Sequence, residues 1–411
     1  MEFTIHVQVL LTVFVMALVM GAVVYKTNFC TMGGVSDWVN MGDTGRMRAW
    51  MFAMTIALAG VTLMEYLGVI SLGTNTFPPY RTPNFAWLRY ILGGVLFGIG
   101  MTLASGCAQR TLVRAGGGNL KSVFVIAVAG FAAYMMLWGE DPLNPGEGFF
   151  TNYFLSWIQP TIIDLSALGI ESQALGAILG GAAGMEETQN LHYLVAAVVV
   201  VVMLAVVFAS RDFRSRFDNL LGGGVVGLAV VGGWYVTAGA MGTEWKEYTE
   251  FLDEIPSRVA AQSYTFVSPL GDGARYALNP TKLSFINFGV MAALGVLLGA
   301  LIYSVAARRF RIEWFASFTD FLRHLFGALL MGVGGVLAMG CTVGQGITGV
   351  STLALGSVLA LLSIIFGAAL TMKVEYYRMV YEDQAGFFAA LVTALVDMRL
   401  LPKGMRRLEA V

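Results

Sequence analysis

Three cysteines are the residues best suited to chemistry in this chain of 411 residues. Cys30, Cys107 and Cys341 lie far apart, and no two of them form a CxxC pair. With only three histidines beside them, the pattern does not predict a closed zinc site, and we expect no metal, cofactor or catalytic residue. A thiol in an apolar pore stays protonated, and its weak S–H donor can contact a soft anion without repelling it. The alternative is that each cysteine is a small buried apolar residue.

An internal repeat places two of these cysteines at equivalent positions. The segments GIGMTLASGC and GVGGVLAMGC end at Cys107 and Cys341, and in each an arginine precedes the cysteine by 18 residues. Gly106 and Gly340 occupy the same position in the two copies. Such glycine-interrupted segments at matching places in two halves indicate a substrate path through a membrane.

Polar side chains accompany both motifs. Gln109 and Gln345 follow them and are candidate donors of amide hydrogens to an anion. Upstream, the segment FCTMGG around Cys30 resembles FVSPLG, in which Val267 stands where the first copy has cysteine. We therefore predict a substrate-binding relay of Cys30, Cys107 and Cys341 supported by Gln109, Gln345, Gly106 and Gly340.

The composition predicts that a lipid bilayer surrounds these motifs. Apolar residues make up 57% of the chain and charged residues 12%, and there are 50 glycines. The mean hydropathy is +0.72. These values exclude a soluble globular enzyme, a disordered protein and a disulfide-stabilised secreted domain. The net charge of −1 argues against a nucleic-acid partner.

Nine apolar runs are long enough to cross a bilayer, which needs about 20 residues. The first lacks a basic n-region and a cleavage site, so we interpret it as a retained helix. A weaker run near 385–397 is expected on the surface. The nine runs lie near 7–25, 48–71, 88–105, 119–138, 191–209, 219–238, 283–305, 324–340 and 353–372.

Charges between the runs predict their orientation. The segment 139–191 has seven acidic residues and no Lys or Arg, so it should face outward, whereas Arg211, Arg214 and Arg216 should face inward. Alternation then places the N-terminus outside and the C-terminus in the cytoplasm.

The odd number of helices makes the repeat inverted. We expect an all-α integral membrane protein with about nine transmembrane helices in two inverted pseudo-symmetric halves that carry short re-entrant segments. The predicted parts are a first membrane repeat with helices 1–4, an outward loop with connector helix 5, a second repeat with helices 6–9, and a cytoplasmic tail. Their bounds are 1–140, 141–215, 216–380 and 381–411.

At these motifs the chain resembles the YeeE/YedE family of sulfur-transport membrane proteins. The resemblance covers about 20–140 and 215–375 and is carried by FCTMGGVSDW, GMTLASGCAQRTLVRAGGGNLKS and LAMGCTVGQGITGVSTLALGS. It implies inverted halves whose short re-entrant helices meet at a narrow waist, where cysteines relay an anion by hydrogen bonding. The family's GC cysteines fall on Cys107 and Cys341. The resemblance also implies the inner membrane of a bacterium as the location, and a cytoplasmic acceptor, a small TusA-like sulfur-carrier protein.

The sequence thus predicts a permease, not an enzyme, for thiosulfate or a related sulfur-containing anion. Three alternatives stay open: a membrane-embedded thiol or persulfide redox protein, a transporter of selenium-containing anions, and a scaffold subunit in which the cysteines have no role. Paired cysteines of low pKa would favour the redox protein.

Overall fold

The computed structural model describes residues 4–185, 188–381 and 386–409, and they are predominantly α-helical. The first half of the chain contains α1 to α8, and the remainder contains α9 to α17. In chain order the helices are Ile5–Thr27 (α1), Thr31–Met41 (α2), Gly45–Tyr66 (α3), Trp87–Leu103 (α4), Ala108–Gly116 (α5), Leu120–Trp138 (α6), Ser156–Ile158 (α7), Leu175–Ala182 (α8), Gln189–Ala209 (α9), Arg211–Ser215 (α10), Phe217–Ala238 (α11), Ala240–Glu250 (α12), Val267–Leu278 (α13), Phe288–Ala306 (α14), Phe318–Leu337 (α15), Leu355–Tyr381 (α16) and Phe387–Asp397 (α17).

Two pairs of two-residue strands connect loops that lie far apart in the sequence. Thr76–Phe77 (β1) pairs in parallel with Ala261–Gln262 (β4), and Asn84–Phe85 (β2) pairs antiparallel with Ile163–Asp164 (β3). Both β1 and β2 belong to the loop between α3 and α4. This loop is therefore anchored to two distant parts of the chain.

Among the described residues, nine helical spans are long and apolar enough to cross a membrane, as predicted. Their long helices are α1, α3, α4, α6, α9, α11, α14, α15 and α16. The protein is thus a multi-pass membrane protein. The fifth of them, α9, is mostly exposed and packs on α3 and α8 at the edge of the bundle. The weaker apolar run forms α17, which packs against α16, although residues 382–385 lie outside the described part.

Helix contacts are exchanged between the two halves. Helix α1 packs on α14, and its counterpart α11 packs on α3; in the same way α4 packs on α16 and α15 on α6. The equivalent helices α4 and α15 also pack on each other, as do α1 and α11. A two-fold repeat predicts such an exchange. That the halves are inverted stays a prediction.

Glycines permit the closest of these contacts. A Cβ at Gly100 would lie 2.5 Å from the amide nitrogen of Met331, and one at Gly334 would lie 2.5 Å from that of Phe97. These separations are too short for any side chain, so the backbones of α4 and α15 touch. The matched glycines of the sequence repeat are therefore the surface along which the two GC segments cross.

Candidate functional site

The three cysteines follow helix ends of one kind. The residues Asn28, Ser105 and Met339 have φ values of 52°, 60° and 56°, in the left-handed region. Each of the three stands two residues before a cysteine. This conformation ends a helix because it turns the chain away from the helix axis.

The two GC motifs also share their hydrogen bonds. The amide of Gly106 donates to the carbonyl of Met101 at 2.8 Å, and the amide of Gly340 donates to that of Gly335 at 2.8 Å. Both are the long bond of a Schellman cap, which satisfies a carbonyl at the end of the helix. The sequence repeat thus has a geometric counterpart.

Each cysteine begins the next helical segment. The carbonyls of Cys30, Cys107 and Cys341 accept the first helical hydrogen bond from the amide four residues later, at 3.0, 2.9 and 2.8 Å. The segments that follow are α2, α5 and the turns of 342–352, where a π-helix at Gly344–Gly349 is followed by a 3₁₀ turn. The three thiols therefore occupy equivalent cap positions.

The structure brings the three thiols into one buried cluster. Cys30, Cys107 and Cys341 are 8%, 1% and 0% exposed, and none forms a disulfide. The Cys107 thiol lies close enough to the other two for a charge on either to be felt there. Amides of Gly33 and Gly344 donate to Cys30 Sγ at 3.3 Å and to Cys341 Sγ at 3.4 Å. The amides leave the S–H hydrogens free to point elsewhere.

Two threonine hydroxyls that the motifs did not indicate line this thiol cluster. Thr342 faces Cys107, and Thr265 faces Cys341. Their Oγ1 atoms are fully buried, and neither makes a hydrogen bond of normal geometry to a described residue, although a cysteine sulfur, a weak acceptor, lies beside each. Thr342 follows Cys341 directly, whereas Thr265 directly precedes the FVSPLG segment and lies in neither GC motif. Both hydroxyls can donate to an anion.

The two predicted glutamines differ in their surroundings. Gln345 donates from Nε2 to the carbonyl of Ala338 at 2.5 Å, so it holds the end of α15. Gln109 is 3% exposed, and its Nε2 has no partner within the described part of the chain. Gly106 and Gly340 keep the turn narrow, because a Cβ at Gly340 would lie 3.1 Å from Cγ of Gln345.

A cavity of about 280 Å³, the Glu65 cavity, opens at the end of α3. Arg81 donates to both carboxylate oxygens of Glu65 at 2.6 and 2.8 Å and to the carbonyl of Thr352 at 3.1 Å. The hydroxyl of the preceding residue, Tyr80, donates to the carbonyl of Gly344 at 2.6 Å. Tyr80 also interacts electrostatically with Cys341. The anchored loop thus lies between this cavity and the first thiol.

A second cavity, of about 240 Å³, lies at the other end of the bundle. We name it the arginine cavity after its lining residues Arg110, Arg114, Arg309 and Arg311. Arg46, at the start of α3, forms an ion pair with Asp37 nearby. The 22 residues of α3 span about 33 Å, so the two cavities lie on opposite faces.

The thiol cluster lies near this arginine-rich face. The Cys30 sulfur is close enough to Arg46 and Arg114 for a charge on it to be felt by both guanidinium groups. Tyr80, Cys341, Cys107, Cys30 and these arginines thus form a series of neighbouring groups that leads from one face towards the other. Chemically, the phenol, thiol and guanidinium groups of this series can each donate a hydrogen bond to an anion.

Comparison with known proteins gives a consistent result. A profile of the family described as "Sulphur transport" matches residues 26–370. The thiosulfate transporter TsuA of Escherichia coli (strain K12) is 25% identical over 369 residues, which cover 87% of this chain and 92% of the relative. The transporter of the same name from Spirochaeta thermophila is 24% identical over 366 residues, covering 84% of this chain and 93% of the relative. Because the family profile spans most of the residues, including all three cysteines, the chain belongs to the sulphur transport (YeeE/YedE) family.

Proposed function

We propose that this protein is a membrane permease for the uptake of thiosulfate or a related sulfur-containing anion. The observation that carries the proposal is the cluster of three buried thiols between two polar cavities on opposite faces. The family match and the names of the two relatives support the cargo. The chain acts as a transporter and not as an enzyme.

In this proposal the anion enters from the Glu65 cavity. Tyr80 must first leave the carbonyl of Gly344, because its ring and hydroxyl cover the approach to Cys341. The anion then accepts S–H hydrogen bonds from Cys341, Cys107 and Cys30 in turn. A neutral thiol is a weak donor, so each site binds the anion without trapping it, as conduction requires.

Neighbouring groups assist this transfer. The unpartnered hydroxyls of Thr265 and Thr342 and the amide of Gln109 supply stronger donors at the waist. Gln345 fixes the carbonyl end of α15, and the glycines before Cys107 and Cys341 let the side chains of Arg110 and Gln345 pack directly against each turn. Donor strength is therefore greatest at the narrowest part of the path, where the anion loses most of its water.

The topology of the proposal follows the charges. The arginine face lies in the cytoplasm of a bacterium and the Glu65 face outside the inner membrane, with the N-terminus outside and the C-terminus inside. Residues 1–140 and 216–380 form inverted repeats joined by 141–215, and α2, α5, α13 and 342–352 are their re-entrant segments. A TusA-like sulfur-carrier protein is the proposed acceptor in the cytoplasm, next to the tail at 381–411.

Uptake of sulfur-35 thiosulfate into proteoliposomes tests the relay. Cys107→Ala and Cys341→Ala should each abolish most uptake, because the path loses a donor at its waist. Ser363→Ala is the matched control: it also removes a buried polar atom of a small side chain, but on α16, where the hydroxyl donates to its own helix at 2.8 Å. Normal uptake by both cysteine variants would contradict the relay.

Two further measurements distinguish the thiosulfate permease from a transporter of selenium-containing anions and from a thiol redox protein. Absence of thiosulfate uptake by correctly inserted wild-type protein, together with uptake of a selenium-containing anion, would replace the cargo and keep the path. A disulfide between Cys107 and Cys341, detected on non-reducing gels after oxidation and proteolysis, would favour the redox protein instead.

A further inference from the structure

The arginine cavity has an excess of positive charge that helix orientation does not account for. Four guanidinium groups line it, from Arg110, Arg114, Arg309 and Arg311, and Glu313 is the single carboxylate in the lining. Within the described residues none of the four arginines forms an ion pair. Arginines that only orient a helix need not converge on one cavity.

The backbone holds this cavity in shape without using the guanidinium groups. Tyr25 donates its hydroxyl to the carbonyl of Arg309 at 3.1 Å, and the amide of Arg311 donates to the carbonyl of Gly117 at 3.0 Å. The carboxylate of Glu313 accepts a hydrogen bond from Asn119 at 2.5 Å and is thereby engaged. The loop after α14 is thus fixed against the turn after α5, while the side chains of Arg309 and Arg311 stay exposed.

The other two arginines connect the cavity to the thiol cluster. Arg114 donates from Nη1 to the carbonyl of Ser105 at 2.8 Å, and Ser105 is the left-handed residue two positions before Cys107. Arg110 donates to the side-chain carbonyl of Asn28, the left-handed residue two positions before Cys30. Each arginine therefore holds the helix end that positions a thiol.

We propose that the arginine cavity binds a small divalent oxyanion, and that its occupancy acts on the thiols through Arg110 and Arg114. An oxyanion in the cavity competes with the neutral acceptors at Ser105 and Asn28, because guanidinium groups bind anionic oxygens more strongly. The helix ends before Cys107 and Cys30 then lose a bond. Accumulated anion would in this way slow further uptake. This link to uptake rests on the proposed function, whereas the binding itself does not.

Isothermal titration calorimetry of the purified full chain in detergent tests the binding. The test variant is Arg309→Gln/Arg311→Gln, and the control is Arg211→Gln/Arg214→Gln, which makes the same charge change in the exposed helix α10. Each protein is titrated with sodium thiosulfate, sulfate and phosphate at constant ionic strength, because salt screens exposed charges. We expect the test variant to bind at least tenfold more weakly than wild type and the control to bind normally.

The outcomes distinguish the source of the anion. Tighter binding of thiosulfate than of sulfate and phosphate identifies the cargo leaving the path, and similar binding of all three identifies a general dianion site. Equal affinities of the two double variants, or no binding to wild type, would overturn the proposal.

Uptake into proteoliposomes preloaded with the bound anion tests the action on the thiols. Preloading should slow uptake by wild type severalfold and leave uptake by Arg309→Gln/Arg311→Gln unchanged. Slowing of the same size in both proteins would refute the connection through Arg110 and Arg114. If the protein does not transport thiosulfate, wild type shows no uptake with or without preloading, yet the calorimetric difference between the double variants persists.

Discussion

Replacement of Thr342 by valine should make the protein more stable and less active. The hydroxyl of Thr342 is buried beside the Cys107 sulfur, a weak acceptor, and Oγ1 makes no hydrogen bond of normal geometry to a described residue. Valine has nearly the same shape, so the packing of the waist is kept. A hydroxyl that costs stability in the resting protein is expected where an anion supplies the missing partner during transport.

The magnitudes follow from this unmet hydrogen bond. Leaving a buried polar group unpaired costs about 1–3 kcal/mol, so Thr342→Val should raise the free energy of unfolding by a value in that range. A hydrogen bond from a neutral donor to an anion contributes about 1.5–3 kcal/mol. Its loss at the waist should reduce uptake about 10- to 100-fold, since each 1.4 kcal/mol is a factor of ten.

Thr348→Val provides the matched control. This threonine is also fully buried, but its hydroxyl donates to the carbonyl of Tyr264 at 2.6 Å. Valine at position 348 removes this hydrogen bond and leaves the buried carbonyl of Tyr264 without its donor, so the free energy of unfolding should fall by about 1–3 kcal/mol. Thermal unfolding in detergent and thiosulfate uptake are measured for both variants. If Thr342→Val is destabilised like Thr348→Val, or transports at the wild-type rate, the hydroxyl is not an anion donor.

Three further predictions concern the scaffold, and each is read from thermal unfolding in detergent. Gly100→Ala should lower the free energy of unfolding by about 1–3 kcal/mol or more, because the new Cβ would overlap the backbone of α15. The control Gly224→Ala should be neutral or slightly stabilising, because no atom lies within 4 Å of its Cβ position. Equal effects of the two variants would contradict the close crossing of α4 and α15. Glu65→Leu should lower the free energy of unfolding by about 3–5 kcal/mol, since it breaks an ion pair with Arg81 in which each side chain is 10% exposed. Glu375→Leu breaks a more exposed pair and should cost less than about 1 kcal/mol. A larger loss for Glu375→Leu would contradict the argument that burial determines the contribution of each pair. Burial acts to raise the pKa of Asp141, but hydrogen bonds from two asparagines, a tyrosine and a backbone amide outweigh it and hold the pKa at about 2. A carboxylate with a lowered pKa stabilises the fold above its unfolded pKa of about 3.9, so wild type should lose stability from about pH 4 to pH 2, and Asp141→Asn should lose less over the same range.

Much of the fold could be predicted because a bilayer imposes a constraint on helix length and polarity that can be recognised directly along the sequence. A helix that crosses lipid needs a long apolar run, and the nine runs in the sequence correspond to the nine helical spans of sufficient length in the described part of the chain. The matched glycines before Cys107 and Cys341 marked these segments as a predicted substrate path, and the structure places α4 and α15 backbone to backbone there. Because the GC motif occurs twice, the sequence distinguishes Cys107 and Cys341 from ordinary buried cysteines.

The remaining parts of the site depend on contacts between residues distant in sequence. Tyr80 lies 264 positions before the carbonyl that it contacts, in a loop without a motif. Thr265 becomes a neighbour of Cys341 only because the chain before α13 packs beside the turn after α15. Glu65 forms its ion pair with Arg81, which comes from the loop after its own helix. Spacing along the chain contains no signal for such neighbours.

The common geometry of the three cysteines explains why a thiol suits this path better than a charged side chain. Each thiol stands where one helical segment has ended in a left-handed residue and the next begins. An anion there meets amides and S–H groups, which carry partial charges only. A lysine at the same position would bind a divalent anion tightly and, with no carboxylate in the thiol cluster to pair with, would be costly to bury. In the proposed path, arginines that form no ion pair among the described residues converge at the arginine cavity, where the anion regains water and can leave. The gradation from Tyr80 through thiols to arginines therefore favours passage in small steps over binding at one deep site.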